Sequence, residues 1–313
     1  MFLMQFMRKI HIKNGMVIMT ISKYEVFHSV VELGSLTKAA ERLNLTQSGV
    51  SHAIASLETE LGFSLLTRDR AGVTLTTNGE LILKYVRETL QCNDRLKQKV
   101  AEIKGLEIGT VRIGTFTSVS SQWLPSIIKE FKEQHPRIEI KLAEGDYDDI
   151  NRWILSGAVD FGFVSLPVTQ SFEFIPLKKD KMFCILPCGH PLQHQDEISF
   201  DQIKGEEFIM TKWGNTDDVR RILLENNLTP KIKYEVVEEQ AIIAMVRNGL
   251  GISILPEMLL LHNTHHVHIV NLEKTAYRTI GVALNSMKKA SPAARKFLVC
   301  IRSWLDRQGL LDF

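Results

Sequence analysis

Four side chains able to read the edge of a base pair crowd one short stretch: Gln47, Ser48, Ser51 and His52, within SLTKAAERLNLTQSGVSHAIASL, residues 35–57. Each offers a donor or acceptor of the kind that tells base pairs apart in a DNA major groove. The apolar residues around them set the geometry. Leu36, Ala39, Ala40 and Leu43 repeat at helical spacing behind Ser35, and Val50, Ile54, Leu57 and Leu61 repeat behind Thr46. The stretch therefore reads as two capped helices with little more than NLTQ between them. Before them, Tyr24, Phe27, Val30 and Val31 make a first helix that stops at Gly34. Three short apolar stripes are buried only by packing together, which gives a helix-turn-helix unit with the start of its third helix exposed. Thr46, Gln47 and Ser48 fit plain capping equally well, since polar residues at helix starts usually cap.

The next segment, FSLLTRDRAGVTLTTNGE, carries two β-prone runs around an Arg-Asp-Arg-Ala-Gly tip, the pattern of a small hairpin wing. Arg68 and Arg70 on it suit phosphates or a narrow minor groove, or simply a solvated loop. Thr77 or Asn78 then opens a helix that runs to about Lys104. Along it Ile82, Val86, Thr89, Asn93, Leu96, Val100 and Ile103 step by 4 and 3 in turn, the seam of a coiled coil, in which Asn93 would fix register. Pairing through this seam would present two third helices to a two-fold-symmetric DNA site.

From Gly109 strands and helices alternate: GTVRIGTF, SSQWLPSIIKEFKEQ, RIEIKLAEG, YDDINRWILSG and VDFGFVSL make a βαβαβ pattern of an open α/β sheet. A second α/β lobe is expected from strands near 181–187, 207–211 and 233–238 and helices at 216–227 and 239–249. The chain returns to the first lobe through a last strand and helix. Ligands of such sheets lie beyond the carboxyl ends of strands. Here the first strand leads into Thr117, Ser118, Val119, Ser120 and Ser121, whose hydroxyls and free amides suit a carboxylate or another small anion, or again serve as a cap.

The 313 residues exceed what one core usually supports, and 44% apolar with 24% charged residues is an ordinary globular composition. Charge interrupts every apolar run, so no membrane span is read. Residues 1–107 hold 14 Lys and Arg against 11 Asp and Glu, but residues 19–75 hold 5 against 6, so DNA binding would depend on charge placement rather than on bulk charge. At the N-terminus apolar residues precede Arg8, Lys9 and Lys13, the reverse of a secretory signal, and a cytoplasmic location follows. Patterned sequence begins near Thr20, which makes Met16 or Met19 the expected translation start. Four scattered cysteines, Cys92, Cys184, Cys188 and Cys300, form no disulfide framework. Cys184 and Cys188 with His190 and His194, or the cluster His262, His265, His266 and His268, stay open as a metal or redox switch. No nucleophile elbow, phosphate loop or zinc-protease helix appears, so an enzyme is not expected. A solute-binding protein would share the two lobes but would need export.

With these residues in view the chain resembles the LysR-type transcriptional regulators, from about Thr20 onward. The resemblance is carried by Gly34-Ser35, Ala39-Ala40, Gln47-Ser48-x-Val50-Ser51, Leu57-Glu58-x-x-Leu61-Gly62, the wing arginines and Leu75-Thr76-x-x-Gly79. Weaker marks are Leu124-Pro125, VDFGFV, GHPL and VRNGLGISILPE. It implies an N-terminal winged helix-turn-helix (20–77), a linker or dimerisation helix (78–105), and a two-lobed α/β effector domain of periplasmic-binding-protein type. That domain covers 109–313, with lobe I at about 109–166 and 278–313 and lobe II at about 167–277. It further implies a bacterial dimer or tetramer on a dyad operator, a small effector, which residues 117–121 make anionic, RNA polymerase as a further candidate partner, and no cofactor, metal or membrane. Carried over by position, Ser35, Thr46, Gln47, Ser48, Ser51, His52, Arg68 and Arg70 would meet DNA. Thr117, Ser118, Ser165 and Thr211 would meet the effector, and Ile82, Val86, Asn93, Leu96 and Val100 would meet a second copy. Departures from the family pattern are Gly49 where Pro or Ala is common, Ala53 in place of a frequent Gln, and Leu66 in place of Phe.

Overall fold

A computed structural model describes residues 23–69, 72–168, 170–212, 218–261 and 266–313. Met16, Met19, Arg70, His262 and His265 lie outside the described residues. The chain divides into two compact units, one ending at Asp94 and the other starting at Arg95.

In the first unit, α1 (Lys23–Leu33), α2 (Leu36–Leu43) and α3 (Gln47–Leu61) precede a hairpin of β1 (Leu66–Asp69) and β2 (Gly72–Leu75), and then α4 (Thr77–Ile103) begins. The three helices close on the stripes read from the sequence: Val26, Phe27 and Val30 meet Ala39, Ala40, Val50, Ile54 and Leu57 in one core. Two alanines on α2 let α1 and α3 approach closely. α3 ends at Gly62, whose φ of 81° is costly for any residue with a Cβ. The Glu58 carboxylate then accepts from the amides of Leu65 and Leu66 at 2.8 and 3.2 Å, which ties the exit of α3 to the first strand of the wing.

The cap of α4 lies one residue earlier than expected, because the Gly79 amide donates to Thr76 Oγ1 at 2.9 Å. The seam also differs. Val86 is buried in the core of the first unit and Ile82 packs against it, so both are occupied within their own protomer. The apolar side chains of α4 that face solvent are Leu81, Tyr85, Leu96, Val100 and Ile103. At 3.6 residues per turn they fall within an arc of about 100°, rotated by roughly 40° from the seam read as heptads. Asn93 is half-buried, while Leu96 and Val100 belong to both stripes.

In the second unit, β3 (Gly109–Thr115) is followed by α5 (Thr117–Gln122), α6 (Leu124–Gln134), β4 (Ile138–Glu144), α7 (Tyr147–Leu155) and β5 (Phe161–Ser165). The helix expected over SSQWLPSIIKEFKEQ is two helices, broken at Trp123, where Pro125 starts a new one. Next come β6 (Glu173–Pro187), β7 (Glu197–Ile198), α8 (Phe200–Ile203), β8 (Glu207–Thr211), α9 (Asp218–Glu225), β9 (Lys231–Val236), α10 (Glu239–Arg247), β10 (Ser253–Pro256) and α11 (Glu257–Leu260). The chain closes with β11 (Val267–Leu272), β12 (Tyr277–Leu284) and α12 (Pro292–Arg307).

The strands follow the order β4-β3-β5-β12-β6-β11-β7, with β10 also on β6 and a separate parallel pair β8-β9. Strand β6 is longer than the expected 181–187, because the polar run LKKDK conceals its first half. That half pairs with β12, and Met182–Pro187 pair with β10 and β11, so one strand serves both lobes. Phe131, Phe161, Phe163 and Phe297 fill one core, and Phe208, Ile222, Leu223 and Ile254 fill another. Among the described residues no helix is long and apolar enough to cross a membrane.

Gly79 explains its place in the pattern Leu-Thr-x-x-Gly by contact rather than by conformation. A Cβ there would stand 2.1 Å from the carbonyl oxygen of Leu65 and 3.0 Å from Leu75 Cδ2. Gly79→Ala is therefore expected to cost about 1–3 kcal/mol of stability as overpacking against backbone. Urea denaturation measures it, and a variant as stable as the parent would show that the wing turn gives way freely.

Candidate nucleic-acid interface and ligand cavity

The opening turn of α3 presents Gln47, Ser48 and His52 to solvent, while Val50, Ile54 and Leu57 face the core. Two of the residues expected at DNA serve as caps: Ser35 Oγ accepts from the Lys38 amide at 3.3 Å, and Thr46 Oγ1 accepts from the Gly49 amide at 3.0 Å. Gly49 fits this cap closely, since a Cβ on it would lie 3.1 Å from Thr46 Oγ1, and a proline would have no amide to give. Ser51 is half-buried, and its hydroxyl accepts from the Arg68 guanidinium at 3.1 Å. The wing and α3 are thus joined by a side-chain bond, with Arg68 exposed alongside the polar turn.

In the second unit a cavity of about 230 Å³ lies where β3, β8 and β12 meet the starts of α7, α9 and α10. Of the residues expected at an effector, Thr117 and Thr211 line it, whereas Ser118 and Ser165 do not. Ser118 Oγ accepts from Arg278 Nη2 at 2.7 Å, and Ser165 Oγ donates to Asp218 Oδ1 at 3.0 Å. Arg278 and Asp218 themselves line the cavity. Arg278 is bonded to Asp180 through Nε at 2.8 Å, and Asp180, fully buried, also accepts from the Met258 amide. The Tyr147 hydroxyl donates to Asp218 Oδ2 at 3.1 Å and takes a bond from Arg278 Nη1 at 3.4 Å, which joins the two charged centres. The Arg278 guanidinium also lies 5.2 Å from the Phe116 ring centroid, within range of a cation–π contact.

Burial pushes the Asp218 carboxyl above the usual carboxylate range, against the pull of Arg278 and Arg221. Burial raises Glu239 likewise, and burial together with Asp218 pushes the Tyr147 phenol up. None of Asp180, Asp218, Arg278, Tyr147 and Glu239 was picked out from the sequence. Arg278 within YRTIGVAL was the readable signal, since a charge in a strand that is otherwise largely apolar is rarely buried unless paired, whereas the lysines around Asp180 hid it.

The model for "Bacterial regulatory helix-turn-helix protein, lysR family" matches residues 21–80, and that for "LysR substrate binding domain" matches residues 104–306. The chain belongs to the LysR family. Among its relatives, the uncharacterized HTH-type transcriptional regulator YvbU of Bacillus subtilis is 37% identical over 283 residues, which are 90% of this chain and 97% of YvbU. Two solved structures show the same fold. A full-length OxyR variant from Pseudomonas aeruginosa has a TM-score of 0.74 at 20% identity, covering 91% of this chain and 95% of that one. Full-length CbnR complexed with its target DNA has a TM-score of 0.63 at 20% identity, covering 90% and 98%.

As a LysR-family member the chain is a DNA-binding transcriptional regulator and not an enzyme, with an N-terminal helix-turn-helix and a two-lobed α/β effector domain. The redox alternative meets a physical obstacle in this regulator. Cys184 is fully buried on β6, paired with Ile254 and Val270 of the flanking strands, and burial with nearby Glu206 pushes its thiol up to about 12. A thiol held protonated inside a sheet is neither a nucleophile nor a metal ligand. Cys188 is exposed beyond the end of β6. His190 takes the Leu192 amide in a turn, and among the described residues no group of three or more His, Cys, Asp or Glu could hold a metal.

The buried pair gives this regulator a testable weak point. Arg278→Met alone is expected to cost about 3–5 kcal/mol, because Asp180 is left buried and unmatched, and adding Asp180→Leu is expected to recover most of that loss. Chemical denaturation of the single and double variants decides, and equal losses would show that charge is not the source.

Proposed function

We propose that this LysR-family regulator binds a dyad operator in the cytoplasm as a dimer or tetramer, reads it with the opening turn of α3, and changes its grip on DNA when a small molecule occupies the cavity of the second unit. The observation that carries the reading is the exposed turn Gln47, Ser48 and His52, capped by Thr46 and held to the wing through Ser51 and Arg68. Side chains on such a turn reach base edges, while Arg68 reaches phosphate. Self-association would use the exposed face of α4, Leu81, Tyr85, Leu96, Val100 and Ile103, rather than Val86 or Ile82. RNA polymerase is the partner through which a bound regulator would act on transcription.

In the cavity, Thr117 and Thr211 would touch the effector, while Ser118 and Ser165 would act through Arg278 and Asp218. Bonds from Ser165 and Tyr147 to Asp218 join residues of the first lobe to the start of α9. A ligand entering there must exchange with them, and unequal affinity for two arrangements of the lobes would shift their populations.

Selection of bound duplexes from a random DNA library by the purified full-length protein tests the reading. An enriched interrupted palindrome is expected, and no enrichment at low salt would overturn it. On the selected site, Gln47→Ala is expected to relax preference at one base position by about 1–3 kcal/mol. Arg68→Ala is expected to weaken all sequences alike and to lower the salt slope by about 1. Equal specificity profiles for the two variants would refute that division of roles.

A further inference from the structure

The expectation of an anionic effector came from hydroxyls and amides at residues 117–121 alone, and the rest of the cavity wall has the opposite character. Among its described lining residues, Glu144, Asp146, Asp218, Glu238 and Glu239 are acidic, and Arg278 is the one Lys or Arg. That arginine is already matched by Asp180. Arg221, at 3.3 Å from Asp218, shares its charge with Glu225 and does not line the cavity. An anion entering here would face surplus carboxylates with no unmatched cation in the wall.

We infer that the ligand of this cavity carries a cationic nitrogen, an ammonium or guanidinium, on an apolar stem. The inference rests on the effector-site reading above and names the ligand class for it. Glu238 and Glu239 open α10: Glu238 makes no side-chain cap bond there, while the Glu239 carboxylate accepts from its own backbone amide and from the Thr117 hydroxyl, and both line the wall. Asp218 opens α9 opposite, oriented by the Ser165 and Tyr147 hydroxyls. A nitrogen with several N–H groups can bond to more than one of these carboxylates at once. Phe116, Met182, Val219, Leu255 and Leu259 supply the apolar part of the wall, suited to methylenes. Burial holds the Asp218 and Glu239 carboxyls above their ordinary range against the pull of the nearby arginines, so a further cation beside them would favour their charged form.

Agmatine, with a guanidinium at one end and an ammonium at the other, is the probe, and glutarate at equal ionic strength is its anionic counterpart. Thermal unfolding and titration calorimetry are run on the full-length protein. At about 10 mM, agmatine is expected to raise Tm by at least about 2 °C, and glutarate is expected to leave it unchanged. Glu239→Gln is expected to lower agmatine affinity about tenfold, and Glu238→Lys, at an exposed position that the fold does not need, is expected to do the same. Stabilisation by glutarate with none by agmatine would overturn the cationic ligand while leaving an effector cavity in place. Silence from both probes would overturn it as well, and the effector reading would then be judged by whether Leu259→Trp, which fills the cavity, alters operator binding. Agmatine binding undiminished in both charge variants would place it elsewhere and overturn the inference too.

Discussion

The buried pair of Asp180 and Arg278 is the interaction on which the second unit depends. The two residues stand directly opposite each other on the antiparallel strands β6 and β12, and both are buried. Two charges removed from water destabilise a fold unless their remaining hydrogen-bonding capacity is used. Here it is used by elements that would otherwise have no common point: Met258 at the start of α11, Ser118 on α5 and Tyr147 on α7. The pair therefore fixes three helices around two strands and leaves one face of the guanidinium at the cavity wall.

Asp218 is a second centre, tied to the first through the Tyr147 hydroxyl. It differs in kind. Asp180 takes its bonds from the guanidinium beside it in the sheet and from the Met258 amide of α11, whereas Asp218 takes them from the hydroxyls of Ser165 and Tyr147 and from Arg221. Bonds of the second sort can be exchanged for bonds to a ligand without unpairing the sheet. The centre in the sheet thus positions the wall, while the bonds of the other can be remade without disturbing it.

The helix-turn-helix was legible because its determinants are local. Caps at Ser35 and Thr46, a stop at Gly34 and stripes at helical spacing all act within a few residues of themselves. What the sequence did not show was that Arg68 would reach Ser51 across 17 positions. The α4 seam was misjudged for a related reason: a 4-3 stepping describes two supercoiled helices, but Ile82 and Val86 are already covered by the first unit, so the free stripe follows the 3.6 period of a straight helix. The cavity was the least legible feature. Tyr147, Asp180, Asp218 and Arg278 come from four distant segments, and only the crossing of β6 and β12 brings them together. Reading residues 117–121 alone gave hydroxyls without the carboxylates that face them.

The near-neutral first unit makes the rest of the molecule consequential for DNA binding. Non-specific affinity for duplex DNA grows with the number of phosphates that a protein neutralises. Residues 19–75 offer 5 basic groups against 6 acidic, and two of the basic ones are paired at the surface, Lys23 with Glu60 and Arg42 with Glu32. A single copy of α3 and its wing therefore has few phosphate contacts to offer, and in the proposed dimer affinity would come from holding two copies at a fixed spacing. On that proposal, small changes in the spacing would cost base contacts at both half-sites together, so a modest rearrangement of the effector domain would be enough to change occupancy of the proposed operator.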